Sequence, residues 1–274
     1  MLSMAPIPQD SSFTAAVAEF YESTLVPLIF APYATDLARR VQEREPARVL
    51  EVGCGTGVVT RALASALPPA CFVVATDVNA AMVSHAENVG TVRPVSWRRA
   101  DVMELPFEDG SFDVVVCQFA TMFFPDRAAA YREVRRVLRP RGAFLFSIWN
   151  RIQDNEFACV VTDAVAELFP TDPPLFLART PHGHWQTAEI EADVRAAGFA
   201  HCAHSQRDHV SRADAAHSPA IAFCHGTPLR NEIEARDPGG LERATAAAAD
   251  ALRQRFGEGA IEGRISAVIV CATK

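Results

Sequence analysis

From Arg48 to Asn150 the chain alternates short apolar runs with stretches of helical periodicity, and this alternation leaves few folds open. RVLEVG, CFVVATD, VSWRRAD, FDVVVCQF and AFLFSIW read as strands. Between them TGVVTRALASAL, NAAMVSHAEN and DRAAAYREVRRVL place apolar residues at three- and four-residue spacing and read as helices. FDVVVCQF and AFLFSIW are apolar on both faces, as central strands must be when helices cover a sheet on each side. Strands joined through helices at this spacing make an α/β fold, a parallel sheet with right-handed crossovers. The turn Arg139-Pro140-Arg141-Gly142 is expected to open the strand AFLFSIW.

The flanks are less regular. Residues 14–43 show helical spacing interrupted by Pro27 and Pro32, so two short helices separated at the prolines are expected. Beyond Asn150 come a helical stretch, FACVVTDAVAELF, and a Pro-, His- and aromatic-rich loop, PTDPPLFLARTPHGHW, which a minimal sheet does not need. TAEIEADVRAAGF reads as an amphipathic helix ended by Gly198. Residues 201–210 are a candidate strand, 214–257 read as mostly helical, and RISAVIVCA is the last strand. The expected organisation is an N-terminal helical lid (1–45), a cofactor-binding core (46–150), a cap insertion (151–186) and a completion of the core with extra helices (187–274). The long segment before the last strand is expected to complete the cap or to form the surface of a homodimer.

Composition removes several function classes. The formal net charge is −7, and no stretch gathers arginines into the basic stripe that a phosphate backbone requires, so nucleic acid is not the expected partner. No apolar run reaches the roughly 18 residues of a membrane span, and the N-terminus lacks a signal-peptide pattern. Seven scattered cysteines, an odd number with no C-x-x-C pair, fit reduced thiols in a cytoplasm and not a zinc site. The only lysine is Lys274, which excludes chemistry built on a buried lysine, including a phosphate-loop GK[ST] and the Tyr-x-x-x-Lys pair of short-chain dehydrogenases.

The segment that carries chemistry is EVGCGTG, residues 51–57, between a strand and a helix. Glycines at 53, 55 and 57 permit positive φ and let backbone N–H groups approach a ligand where the next helix presents its positive end. Asp77 ends the second strand about twenty residues later, where an acid can accept the hydroxyls of a ribose. Asp101 ends the third strand on the same carboxyl edge. Three successive strand ends therefore point glycine or acid at one crevice.

Taken with ATDVNAAM, ADVMELPFEDGSFDVVVCQFATMFFPD and VLRPRGAFLFSIW, this ExGxGxG segment resembles the class I S-adenosylmethionine-dependent methyltransferases, more narrowly the small-molecule branch that includes ubiquinone and menaquinone biosynthesis enzymes. The resemblance covers about residues 15–150 well and the rest loosely. It implies a Rossmann-like sheet of seven mostly parallel strands with helices on both faces, plus N-terminal helices and a helical cap. It implies S-adenosylmethionine as cofactor, with Glu51, Gly53, Cys54, Gly55 and Gly57 forming the turn. Backbone around Gly53 and Gly55 would face the methionine part, Asp77 the ribose, Val78 and Met82 the adenine. Asp101 would accept from the adenine amino group with Val102 beside it, Gln118 would help hold the amino-acid end, and Tyr21 would reach over the cofactor carboxylate. Where relatives often carry polar or His residues after the fourth strand, this chain reads Thr121, Met122, Phe123, Phe124, an apolar wall for a partly apolar small-molecule acceptor.

Methyl transfer from a sulfonium needs alignment more than a catalytic group. If the acceptor is a hydroxyl or an acidic carbon, a general base helps, and His182 and His184 in PHGHW are the candidates because the loop is expected to overhang the crevice. The H-x-H pair lacks a third ligand cluster, so no metal is expected. Trp149, Trp185, Phe123 and Phe124 are candidate pocket walls, though aromatics at strand ends are often core. Two other readings remain open: a nicotinamide-dependent oxidoreductase, against which Val58 stands where G-x-G-x-x-G needs a glycine, and a non-catalytic nucleotide-binding module.

Overall fold

The computed structural model describes residues 15–274. It opens with α1 (Ala15–Leu25), which widens through one π-helical turn over Val26–Phe30 and runs directly into α2 (Ala31–Gln42). The expected break at the prolines does not occur. Pro27 and Pro32 each fall in the first turn of their segment, where a missing N–H costs little, and the widened turn absorbs the interruption of the hydrogen-bond ladder.

The core then follows in order: β1 (Arg48–Val52), α3 (Val58–Ala66), β2 (Phe72–Asp77), α4 (Ala80–Val89), β3 (Ser96–Arg99), β4 (Phe112–Gln118), α5 (Arg127–Val137) and β5 (Leu138–Trp149). Beyond it come α6 (Glu156–Glu167), α7 (Phe176–Arg179), α8 (Thr187–Ala196), β6 (His201–Ala213), α9 (His217–Gly226), α10 (Leu229–Arg236), α11 (Leu241–Phe256) and β7 (Ile261–Thr273). The sheet has seven strands in the order β3-β2-β1-β4-β5-β7-β6. Strands β1 to β5 pair in parallel, and β7 lies antiparallel between β5 and β6. The strand order reverses between β1 and β4, and in open α/β sheets ligands bind outside the carboxyl ends at such a point.

Side chains of β5 alternate as strand geometry requires. Ala143, Leu145 and Trp149 join a core shared with α2, α3, α6 and α9 to α11, whereas Phe144, Phe146 and Ile148 join a second core under α5 and α8. This two-sided burial is why AFLFSIW carries no polar face. The expected turn at 139–142 is instead a bulge inside β5: Leu138 pairs with Phe112 and Ala143 with Val114, so the four intervening residues oppose one. Residues 214–257 are helical as expected, and α9 and α11 pack on α6 while α9 also meets α1. The segments read as cap and as completion thus share one helical layer.

A buried amide ties that layer to the sheet. Asn155, just before α6, is 2% exposed; its Nδ2 donates to the carbonyls of Arg151 and Ser266, each at 3.2 Å, and its Oδ1 accepts the Ser266 N–H at 3.0 Å. Asn155→Ala leaves the Ser266 N–H without its partner, while the Ser266 carbonyl keeps the Asn150 N–H, and is expected to destabilise the fold by about 1–2 kcal/mol. Urea unfolding checks this, and an unchanged midpoint would contradict it.

Candidate active site

The turn after β1 is left-handed at all three glycines, with φ of 68° at Gly53, 52° at Gly55 and 88° at Gly57. A Cβ at Gly53 would sit 2.6 Å from the Ala120 Cβ, so the residue is required where the loops after β1 and β4 touch. At Gly55 a Cβ would meet nothing within 4 Å, because that side of the turn opens on a cleft. The Cys54 N–H donates to the Thr76 carbonyl at 2.9 Å and pins the turn to β2.

Asp77 closes the same turn from the end of β2. Its Oδ2 accepts the Gly55 N–H at 2.8 Å and its Oδ1 accepts the Asn79 N–H at 2.9 Å. Burial raises its carboxyl above the usual range, and these backbone donors pull it back. Beneath the turn Glu51 is 1% exposed and accepts the Thr60 hydroxyl at 2.5 Å. Burial pushes its carboxyl up to about 8, so it holds its proton at neutral pH.

The cleft of about 310 Å³, open mouth included, is lined by Tyr21, Glu51, Gly53, Cys54, Gly55 and Gln118 of the residues expected from sequence. Tyr21 roofs it, stacked on Phe30 at 5.2 Å, and its hydroxyl is held protonated by burial first and then by the charges of Asp77 and Glu22. Gln118 Nε2 donates to the Phe30 carbonyl at 3.4 Å, while its Oε1 and the Thr56 hydroxyl are buried with no partner among the described residues. Buried unpaired acceptors at an open glycine turn fit a polar ligand that brings its own donors.

Other expected residues stand at the rim. Asp77 pairs in register with Arg99, which sets Asp101 at the neighbouring strand end, exposed and accepting the Met103 N–H at 2.9 Å. Val78 is exposed, Val102 half-buried against the second core, and Met82 buried on α4. Gly57 serves packing: a Cβ there would meet Ala86 at 3.0 Å and Trp97 at 3.2 Å. The sequence reading missed Phe30, Thr56, Val58 and Val59 as lining residues. Thr56 sits inside the glycine segment and was within reach, whereas Phe30 reaches the cleft only because the π-helical turn carries it there.

Next to Gln118 lies an aromatic cluster. Phe119 stacks on Trp149 with ring centres 3.8 Å apart and planes 3° from parallel; Tyr33 meets both edge-on, at 5.2 and 5.4 Å. Phe119 is itself left-handed, φ 51°, a conformation uncommon without glycine. Trp149 belongs to the core, whereas Phe123 and Trp185 are exposed.

The two histidines of PHGHW part company. His182 lies against Trp149, ring centres 5.8 Å apart, with Nδ1 2.7 Å from the Asn150 carbonyl oxygen. A carbonyl only accepts, so Nδ1 carries the proton and Nε2 is left as an acceptor; burial brings the imidazole down to about 4. His184 instead sits between Glu189 and Asp193, at 3.7 and 3.6 Å, beside the Arg127–Asp193 ion pair. Among the described residues no group of three or more His, Cys, Asp or Glu is placed to hold a metal ion, and no helix is long and apolar enough to cross a membrane.

A glycine turn on the carboxyl edge of a sheet ordered β3-β2-β1-β4-β5-β7-β6, with β7 alone reversed, defines the class I methyltransferase fold. Residues 50–146 match the methyltransferase domain family. Demethylmenaquinone methyltransferase from Staphylococcus aureus is 39% identical over 100 residues, covering 36% of this chain and 42% of that protein. The match thus spans less than half the length of these curated relatives. Among solved structures, the YcgJ protein from Bacillus subtilis superposes with a TM-score of 0.55 at 20% identity, over 89% of this chain and 98% of that one. Haemonchus contortus phosphoethanolamine N-methyltransferase 2, solved with S-adenosyl-L-methionine, gives 0.58 at 16% identity over 97% and 58%. Residues 50–146 thus match a methyltransferase domain, on a fold shared with these solved structures.

Proposed function

We propose that this protein transfers a methyl group from S-adenosylmethionine to a small, partly apolar acceptor. The observation that carries this reading is the meeting of the open glycine turn, Asp77 and the unpaired oxygen of Gln118 in one cleft. When bound, S-adenosylmethionine supplies a methyl on a sulfonium centre that leaves as a neutral thioether. The chain's task is to bind and align. Asp77, whose carboxylate holds the backbone N–H groups of Gly55, Val78 and Asn79, keeps its remaining lone pair for a ribose hydroxyl, while Gln118 Oε1 and the Thr56 hydroxyl are free to accept from the amino-acid end. Tyr21 and Phe30 exclude water from the mouth. Val78, Met82, Asp101 and Val102 form the adenine end at the β2 and β3 tips.

The acceptor's proposed place is beside Gln118 against Phe30, the ring of that cluster that lines the cleft, with Tyr33, Phe119 and Trp149 buried behind it. That cluster and the likeness to a demethylmenaquinone methyltransferase support a planar, partly apolar substrate. His182 is the proposed base, because the Asn150 carbonyl fixes its proton on Nδ1. His182→Phe is expected to lower kcat roughly 10²- to 10⁴-fold with KM little changed; an unaltered kcat would remove it from the mechanism. All seven cysteines are free thiols, which supports a reducing compartment such as the cytoplasm.

Parallel calorimetric titrations with S-adenosylmethionine and NADH, followed by labelled-methyl transfer to a panel of acceptors, test the reading. Binding of the sulfonium alone, with transfer, is expected. NADH binding without a response to S-adenosylmethionine would favour an oxidoreductase, and tight cofactor binding with no transfer would favour a binding module.

A further inference from the structure

A second cleft lies not at the glycine turn but at the opposite, amino edge of the sheet. It measures about 430 Å³ and is walled by Arg44, Arg139, Arg141 and Asp113, with Val114, Pro140 and Gly142 between them. Three guanidinium groups face a single carboxylate, in a chain whose formal net charge is −7. That carboxylate is already spent: Asp113 Oδ1 accepts from Arg139 at 2.6 Å, and Oδ2 accepts the N–H groups of Ala47 and Arg48 at 2.9 and 2.8 Å. Among the described residues the Arg44 guanidinium donates only to the Cys271 sulfur, at 2.9 Å. The Arg141 side chain makes no hydrogen bond or ion pair among the described residues.

Arg141 is also held in the left-handed region, φ 66°, inside the β5 bulge. Glycine adopts that conformation freely and an arginine does not. An exposed cationic residue held in a left-handed backbone at the wall of a pocket, without a hydrogen bond or ion pair among the described residues, is better explained by a ligand than by the fold. From these observations we propose that the amino-edge cleft binds an oxyanion of the phosphate-chain class, held by Arg44 and Arg141 in the fork geometry that guanidinium groups offer to phosphate oxygens.

The site is separate from the donor cleft and does not rest on the proposed function. It is mechanically connected to it all the same. α2 runs about 18 Å from Phe30 at the donor cleft towards Arg44, and β4 runs roughly 17 Å from Asp113 to Gln118.

The test is calorimetry on the full chain with inorganic tripolyphosphate and, in parallel, ATP, both with S-adenosylhomocysteine present to occupy the donor cleft. One saturable site that weakens with added salt is expected. Arg141→Gly and Arg44→Gln are each expected to weaken it tenfold or more, while the thermal midpoint of Arg141→Gly stays at or above that of the parent because the backbone strain is relieved. Equal affinity for the two ligands would assign recognition to the phosphate chain alone; tighter ATP binding would assign it to a nucleotide. No saturable binding of either, or binding that both variants retain in full, overturns the proposal.

Discussion

Asp77→Ala is expected to weaken S-adenosylmethionine binding by about 1.5–3 kcal/mol, the range for hydrogen bonds to a charged group, or roughly 10- to 150-fold in Kd. The carboxylate has two tasks, and the substitution separates them. Its bonds to the Gly55 and Asn79 N–H groups shape the turn, while its remaining lone pairs are assigned to the ribose. Asp77→Asn keeps one carbonyl acceptor and loses the other turn bond, because its amide nitrogen cannot accept, so it should fall between the parent and the alanine variant. Calorimetry reads the affinity and urea unfolding reads the turn. If the alanine variant unfolds earlier but binds with an unchanged Kd, Asp77 is a structural clamp and the ribose assignment is wrong.

Glu51 gives the second large effect. Its carboxyl titrates near 8 in the folded chain against about 4.5 unfolded. Over that interval the folded state binds the extra proton, so Glu51 makes stability fall as pH rises. His182 acts in the opposite sense, since its folded value near 4 lies below 6.5 and its contribution is lost as pH falls through that window. The two slopes offset one another between about pH 4.5 and 6.5. Above 6.5 the downward slope of Glu51 remains. Stability should therefore decline by up to about 1.4 kcal/mol per pH unit from 6.5 to 8. Glu51→Gln, which mimics the protonated acid beside Thr60, should flatten the decline. A parent protein equally stable at pH 6.5 and 8 would show that Glu51 is ionised throughout.

Much of the fold was open to inspection in the residues, for a physical reason. β4 and β5 are buried on both faces and so carry continuous apolar runs, and the glycines at 53, 55 and 57 each take the left-handed backbone that their residue type allows. Tyr21, Glu51, Gly53, Cys54, Gly55 and Gln118 do meet in one cleft. What local pattern did not carry is set by tertiary context. Pro27 and Pro32 read as breaks, yet packing on the sheet stabilises a continuous helix through a widened turn. Arg139 to Gly142 read as a turn, yet flanking pairs to β4 keep it inside β5. His182 and His184 are two residues apart and looked equivalent, but the chain reverses between them and delivers one to Asn150 and the other to Asp193. The aromatic cluster joins residues from three separate segments, and no spacing in the sequence announces it.

The central claim is that the ends of β1, β2 and β4 build a binding place for an adenosyl sulfonium. A crystal structure of the protein grown with S-adenosylhomocysteine tests it most directly. Ribose hydroxyls on Asp77, the adenine beside Asp101 and the amino-acid end at Gln118 are the expected result. Ligand density anywhere else, with the cleft at the glycine turn left empty, would contradict it.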